Sequence, residues 1–230
     1  MKNSPYWRLT SRQKKYYKIK SALDVVCAWA GMIILSPLFL GIVIAIKVED
    51  GIAAPVIFKQ KRVGINRTYF QLLKFRSMKL DTPHDCPTHL LKDPDQYITK
   101  IGRFLRKTSL DELPQLWNIA TGSLSVVGPR PALWNQDDLI ELREKYGVHQ
   151  VKPGLTGLAQ ISGRDELEIG QKAKVDRQYV KHFGLLMDIR CFFGTFLAVF
   201  RADGVVEGGT GAIAKKQKSV ERKGRSGRIL

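Results

Sequence analysis

From Val25 to Ile46 the chain runs for 22 residues without a charged side chain, VVCAWAGMIILSPLFLGIVIAI. As one helix it would be about 33 Å long, enough to cross a hydrocarbon core of ~30 Å. It lacks an A-x-A-like cleavage site and is long for the apolar core of a leader, so it is expected to stay on the protein. Ser36-Pro37 divides it. Proline has no N–H for an intrahelical bond and its ring meets the carbonyl four residues back, so the helix kinks or stops there. Each half then reaches only about half a bilayer. Lys2, Arg8, Arg12, Lys14, Lys15, Lys18 and Lys20 precede the segment; Lys47, Lys59, Lys61, Arg62 and Arg67 follow it. Basic flanks stay on the cytoplasmic side. A helix that breaks and leaves by the face it entered satisfies both flanks, so a re-entrant segment is expected over a spanning one.

The 230 residues carry 38 Lys+Arg against 21 Asp+Glu, a net charge of +17. Most of that excess sits at the ends. Residues 215–230 repeat the basic character of the first 20, with seven basic side chains against Glu221 alone. A nucleic-acid-binding domain would spread its basic face through the folded core. Basic ends on a nearly balanced middle suit an anionic membrane surface better, and for the C-terminal run a solubilising tail is an equal reading. Cys27, Cys86 and Cys191 lie far apart without a CxxC pair, which excludes a zinc ribbon or disulfide framework and reads as free thiols in a reducing compartment. No GxxxxGK[ST], HExxH or GxSxG occurs, nor GxGxxG after a strand. The four histidines are scattered without metal-ligand spacing and are expected at the surface.

Two strands are expected at PVIFKQ and TYFQLLKF around the turn VGINRT. Residues 81–100, with Pro83, Pro87 and Pro94, read as a long loop. Helical pattern is expected over Leu113–Ala120, Ala132–Tyr146 and residues 166–182. Leu185–Arg201 is apolar enough to pack in a core or lie in a membrane interface; the anchor upstream favours the interface.

The chemically informative stretch is RKTSLDELPQLWN, Arg106–Asn118. Ser109-x-x-Glu112 fits a capping box, a purely structural use. A helix starting at Leu110 or Asp111 instead puts Pro114 in its first turn, where proline is tolerated. Asp111 and Glu112 then sit at a helix N-terminus, which favours an anion. They point about 100° apart, so one carboxylate can attack phosphorus while the other holds a divalent cation. Physics alone leaves capping and function even. Gly128-Pro129-Arg130-Pro131 fixes one arginine on a stiff loop, suited to phosphate or to a buried carboxylate. Lys152 and the amides of KPGLTG offer an unspecific anion cradle.

Taken in order, several pieces resemble the bacterial sugar transferases, the monotopic polyprenyl-phosphate phosphoglycosyl transferases. They are Ser36-Pro37, Lys59-Gln-Lys-Arg62-Val-Gly64, Phe70-Gln-Leu-Leu-Lys74-Phe75-Arg76-Ser-Met78, Leu110-Asp-Glu-Leu-Pro-Gln-Leu-Trp-Asn118, Val127-Gly-Pro-Arg-Pro131 and Pro153-Gly-Leu-Thr-Gly157, within roughly residues 19–200. The resemblance implies that a UDP-sugar gives its phosphosugar to polyprenyl (undecaprenyl) phosphate and UMP is released. It makes Asp111 the nucleophile, with an aspartyl phosphosugar intermediate, and gives Mg²⁺ to Glu112 together with Asp111. Lys74, Arg76, Arg106, Arg130 and Lys152 become substrate contacts. It also implies a bacterial inner-membrane protein with its catalytic part on the cytoplasmic face, carrying out the first membrane step of exopolysaccharide, lipopolysaccharide or other glycoconjugate synthesis. A homodimer is left open, and neither the sugar nor the glycan is identified. Lys20-Ser-Ala-Leu-Asp24 departs from the family's basic pair, with Ser21 in the second place.

The expected fold is α/β: a small mixed domain of helices and short strands with an N-terminal re-entrant membrane helix and interfacial amphipathic helices. A basic arm covers 1–20, the re-entrant helix 21–46, the transferase domain 47–203 and a basic tail 204–230, the minimal catalytic form of the family. One rival is a non-enzymatic, membrane-anchored basic scaffold, whose function would survive Asp111→Asn. The other is a nucleic-acid-binding protein with an incidental hydrophobic helix, whose DNA affinity would fall steeply with salt.

Overall fold

A computed structural model describes residues 8–82, 94–163 and 167–200. Helix α1, Ser11–Ile34, opens with a reciprocal cap between Thr10 and Gln13 and runs without a break through residue 20. It stops where the sequence requires. Helix α2, Ser36–Asp50, begins with Pro37 in its first turn, the one place where a missing N–H costs nothing. The axes meet at 62°. Among the described residues no single helix is long and apolar enough to cross a membrane; this bent pair passes together on length and composition.

Ala28, Ile42 and Ile46 face inward, whereas Val26, Ile33, Ile34, Leu40, Ile44 and Val48 are more than half exposed. Polar contacts tie α2 to the rest of the protein at its end. Glu49 accepts the N–H groups of Lys100 and Ile101, both at 2.7 Å, and so caps α3, Lys100–Lys107. Asp50 takes Arg76 at 2.7 Å.

Strands β1 (Ile57–Val63) and β2 (Tyr69–Phe75) form the expected antiparallel hairpin, with Ile57 opposite Phe75 and Val63 opposite Tyr69. A short helix α4, Gln115–Ala120, lies against α1 and β2. Two strands unmarked in the sequence, β3 (Ser125–Val127) and β4 (Gly154–Thr156), pair in parallel. Their contact explains the glycines. A Cβ on Gly154 would lie 2.0 Å from the Gly128 nitrogen, and one on Gly157 2.0 Å from the Gly128 oxygen. The loop 128–131 therefore packs backbone to backbone on residues 153–157.

Helices α5 (Asp137–Lys145), α6 (Leu158–Ile161), α7 (Ile169–Lys181) and α8 (Leu185–Phe200) complete the described chain. Tyr179, Val180, Phe183 and Cys191 bury against Val127, Val148 and Leu158. Under β3 lies an ionic cluster. Lys20 bridges Asp24 at 3.1 Å and Asp188 at 3.3 Å; Ser125 donates to Asp24; Tyr16 and Tyr179 donate to Asp188 at 2.7 and 2.6 Å. It ties α1 to β3, α7 and α8.

Several expectations change. Residues 132–136 are not helical: Val63 donates to the Ala132 carbonyl and Leu133 bridges Arg62, so this stretch pairs with β1 before α5 begins. The loop 81–100 ends in a 3-10 turn, Pro94–Tyr97, and α3 was unmarked; residues 83–93 lie outside the described chain, with Cys86, His84 and His89. His149 is buried rather than on the surface. Helix α8 divides the two readings of its segment: Asp188 and Cys191 are buried, while Leu186, Phe193 and Leu197 are 84%, 61% and 58% exposed. The tail 204–230 lies outside the described residues.

Candidate active site

The chain between α3 and α4 turns sharply. Ser109 takes a left-handed conformation (φ 57°), Leu110–Glu112 form a 3-10 turn, and Pro114 precedes α4. Ser109 makes no side-chain cap bond, so the capping box does not form. The acidic pair also lies ahead of α4 rather than in its first turn. Positive charge comes to it from side chains instead of helix amides.

Lys74, on β2, stands between the carboxylates, 2.9 Å from Glu112 Oε1 and 3.6 Å from Asp111 Oδ2. Arg130, on the loop after β3, binds the same Glu112 Oε1 at 2.6 Å. Arg106, in the last turn of α3, donates to Ser77 Oγ at 3.1 Å and adds its charge to the field at Asp111. Strand β2, the end of α3 and the loop after β3 thus meet around a 3-10 turn whose adjacent side chains point about 120° apart.

The two carboxylates are driven in opposite directions. Burial raises Asp111 above the usual carboxylate range; Lys74 opposes this and neighbouring Glu112 adds to it. Burial also works against ionised Glu112, but Arg130 and then Lys74 outweigh it and hold that group well below the usual range. Glu112 is thus a fixed anion clamped by two cations, while Asp111 is desolvated, the condition of a reactive carboxylate.

Other sequence candidates lie further out. Arg76 pairs with Asp50 through Nη2, while its Nε and Nη1 are buried without a partner among the described residues. Lys152 is not brought to the pair: its ammonium lies by Gly122, in the field of Asp24 and Lys20, and burial depresses its pKa. Asn118 had no assigned role in the sequence. Its side chain accepts from Leu73 N–H at 2.9 Å and donates to the Gln71 carbonyl at 2.8 Å, so α4 is stitched to the strand that carries Lys74. Its place at the end of the quoted motif Leu110–Asn118 was its one mark in the sequence.

The family model for bacterial sugar transferases matches residues 15–202. The chain belongs to this family. A UDP-glucose:undecaprenyl-phosphate glucose-1-phosphate transferase of Escherichia coli is 39% identical over 190 residues, covering 80% of this chain and 40% of that protein. An uncharacterized sugar transferase of Haemophilus influenzae is 37% identical over 200 residues, 81% of this chain and 42% of its own. The chain thus spans about two-fifths of these longer relatives. The exopolysaccharide production protein ExoY of Rhizobium meliloti is nearer in size, 38% identical over 196 residues that cover 78% of this chain and 84% of that one.

Among the described residues no three His, Cys, Asp or Glu side chains converge on a metal position. Mg²⁺ is commonly held by one or two carboxylates plus waters and substrate phosphates, and Asp111 with Glu112, engaged by Lys74 and Arg130 at Oε1, are the carboxylates that could take that part here.

Proposed function

We propose that this bacterial sugar transferase moves a phosphosugar from a UDP-sugar to undecaprenyl phosphate and releases UMP. The observation that carries the reading is the pairing of a desolvated Asp111 with an anionic Glu112 inside a frame of Lys74, Arg106 and Arg130, beside an apolar bent helix pair.

An Asp111 oxygen attacks the phosphorus that carries the sugar. The bond from that phosphorus to the bridging oxygen breaks, UMP leaves, and an aspartyl phosphosugar remains. The lipid phosphate oxygen then attacks the same phosphorus and frees the Asp111 carboxylate. Such transfers ask mainly for position and charge neutralisation, and a carboxylate nucleophile splits one difficult step into two. Mg²⁺, held by Glu112 with Asp111, would neutralise charge on the diphosphate. Lys74, Arg106 and Arg130 orient the phosphates.

The acceptor is a lipid, which accounts for the exposed apolar faces of α1, α2 and α8. In this reading α1 and α2 enter and leave the inner membrane by its cytoplasmic face, where nucleotide sugars are available. With Cys27, Cys86 and Cys191 replaced by serine, Arg12→Cys and Phe58→Cys should each then react with an impermeant thiol reagent in inside-out vesicles and neither in intact cells. Opposite labelling of the two would mean a spanning pair.

The deciding assay is UMP release by detergent-solubilised protein with Mg²⁺, undecaprenyl phosphate and a panel of UDP-sugars, beside Asp111→Asn. Release with one sugar, lost in the variant together with a trapped phosphosugar adduct, is expected. Equal release by both proteins would remove Asp111 from the reaction.

A further inference from the structure

Two of the four residues in the loop Pro129-Arg130-Pro131-Ala132 are prolines, which have no N–H to anchor them. The loop is held by its carbonyls. Gly154 N–H donates to Pro129 O at 3.0 Å, Arg62 Nη1 to Pro131 O at 3.0 Å, and Val63 N–H to Ala132 O at 3.0 Å. The carbonyl of Arg130 itself is taken by Arg143 Nη1, from α5, at 2.8 Å.

Arg143 cannot swing freely. Its Nε and Nη2 both donate to Asp176 Oδ2 on α7, at 2.9 and 2.6 Å, and the two side chains are only 3% and 1% exposed. A guanidinium presents its donors as a rigid fork, so fixing one edge on Asp176 fixes where the remaining arm points. Arg130, by contrast, is 36% exposed at its side chain and reaches across the site to Glu112. A long, half-exposed side chain makes such a contact at lower entropic cost when its own backbone is held.

We propose that Arg143, locked by Asp176, is a positioning residue for Arg130: it fixes the Arg130 peptide and thereby the reach of that guanidinium toward Glu112 and the donor diphosphate. This rests on the phosphotransferase reading for its activity readout, although the positioning itself does not. The competing account is that Arg143–Asp176 only ties α5 to α7.

The test is a double-mutant cycle in the full chain. Arg143→Lys keeps a cation for Asp176 but loses the fork. It should lower kcat/KM for UMP release by about tenfold, and Arg130→Ala by about a hundredfold. The combined variant should be no worse than Arg130→Ala alone, since there is nothing left to position. Losses that multiply, or a wild-type rate for Arg143→Lys, would overturn the proposal. Should Arg143→Lys fail to fold, the pair Arg143→Met with Asp176→Leu replaces the buried ions with apolar volume and should show the same tenfold loss.

A second readout is independent of activity. The coupling between Arg130 and Glu112, read from melting temperatures of Arg130→Ala, Glu112→Gln and their combination, should fall by at least about half when Arg143→Lys is added. An undiminished coupling refutes the positioning claim. No UMP release by wild-type protein with any donor would sink the transferase reading, while this second cycle would still decide the role of Arg143.

Discussion

Asn118 offers the sharpest test of how the site is held. Its carboxamide closes two hydrogen bonds with β2, accepting from Leu73 N–H and donating to Gln71 C=O, and the residue is 5% exposed. Asn118→Ala removes both partners from backbone groups that water reaches poorly. Each made bond contributes about 1 kcal/mol, and each group left unpaired costs about 1–3 kcal/mol. The two unpaired groups together therefore cost about 2–6 kcal/mol, or roughly 4–24 °C in melting temperature for a chain of this size. Lys74 follows Leu73 directly, so the perturbation also loosens the cation between Asp111 and Glu112. Asn118→Asp should be as damaging, because the carboxylate still accepts from Leu73 but repels the Gln71 carbonyl. The assay is thermal unfolding in detergent, with UMP release measured well below the transition. A melting point within about 2 °C of wild type and an unchanged rate for Asn118→Ala would refute the stitching of α4 to β2.

The remaining predictions concern packing, protons and metal. A Cβ on Gly102 would lie 2.0 Å from Ser77 O and 2.7 Å from Thr99 Oγ1, so Gly102→Ala must displace backbone. It should cost about 3 kcal/mol and slow UMP release through Arg106, which rests on Ser77. Burial first, then the Arg143 charge, pushes His149 down to about 4 from its ordinary 6.5. The unfolded chain therefore binds the extra proton between pH 6.5 and 4, and about 3 kcal/mol of stability present above that range is lost as pH falls through it. His149→Gln should flatten the melting temperature between pH 7 and pH 5 relative to wild type. Chelating Mg²⁺ should abolish UMP release, and Glu112→Gln should raise the Mg²⁺ needed for half-maximal rate by about tenfold or more.

The break at Ser36-Pro37, the β1–β2 hairpin and the Asp111–Glu112 pair were legible in the chain itself because each rests on local chemistry. A proline deletes a donor wherever it sits, alternating residues around a short turn pair as strands, and adjacent carboxylates stay adjacent. The direction of the two carboxylate shifts was not legible. It depends on Lys74 and Arg130 arriving from 37 residues before Asp111 and 18 residues after Glu112, a consequence of how β2 and the loop after β3 close on one turn.

The same distinction separates the lysines and arginines. Arg106 and Arg130 lie on elements that end at the acidic pair, whereas Lys152 shares their composition but faces the cluster around Lys20 and Asp24. Asn118 stood in a quoted motif without a role, and nothing in the sequence marked Arg143 or Asp176, because a buried polar side chain is recognised only by the partners it meets. Sequence determined where this chain must bend and which groups could react. Tertiary packing alone decided which cation neutralises which carboxylate, since Coulomb energy and desolvation depend on distances across the fold and not along the chain.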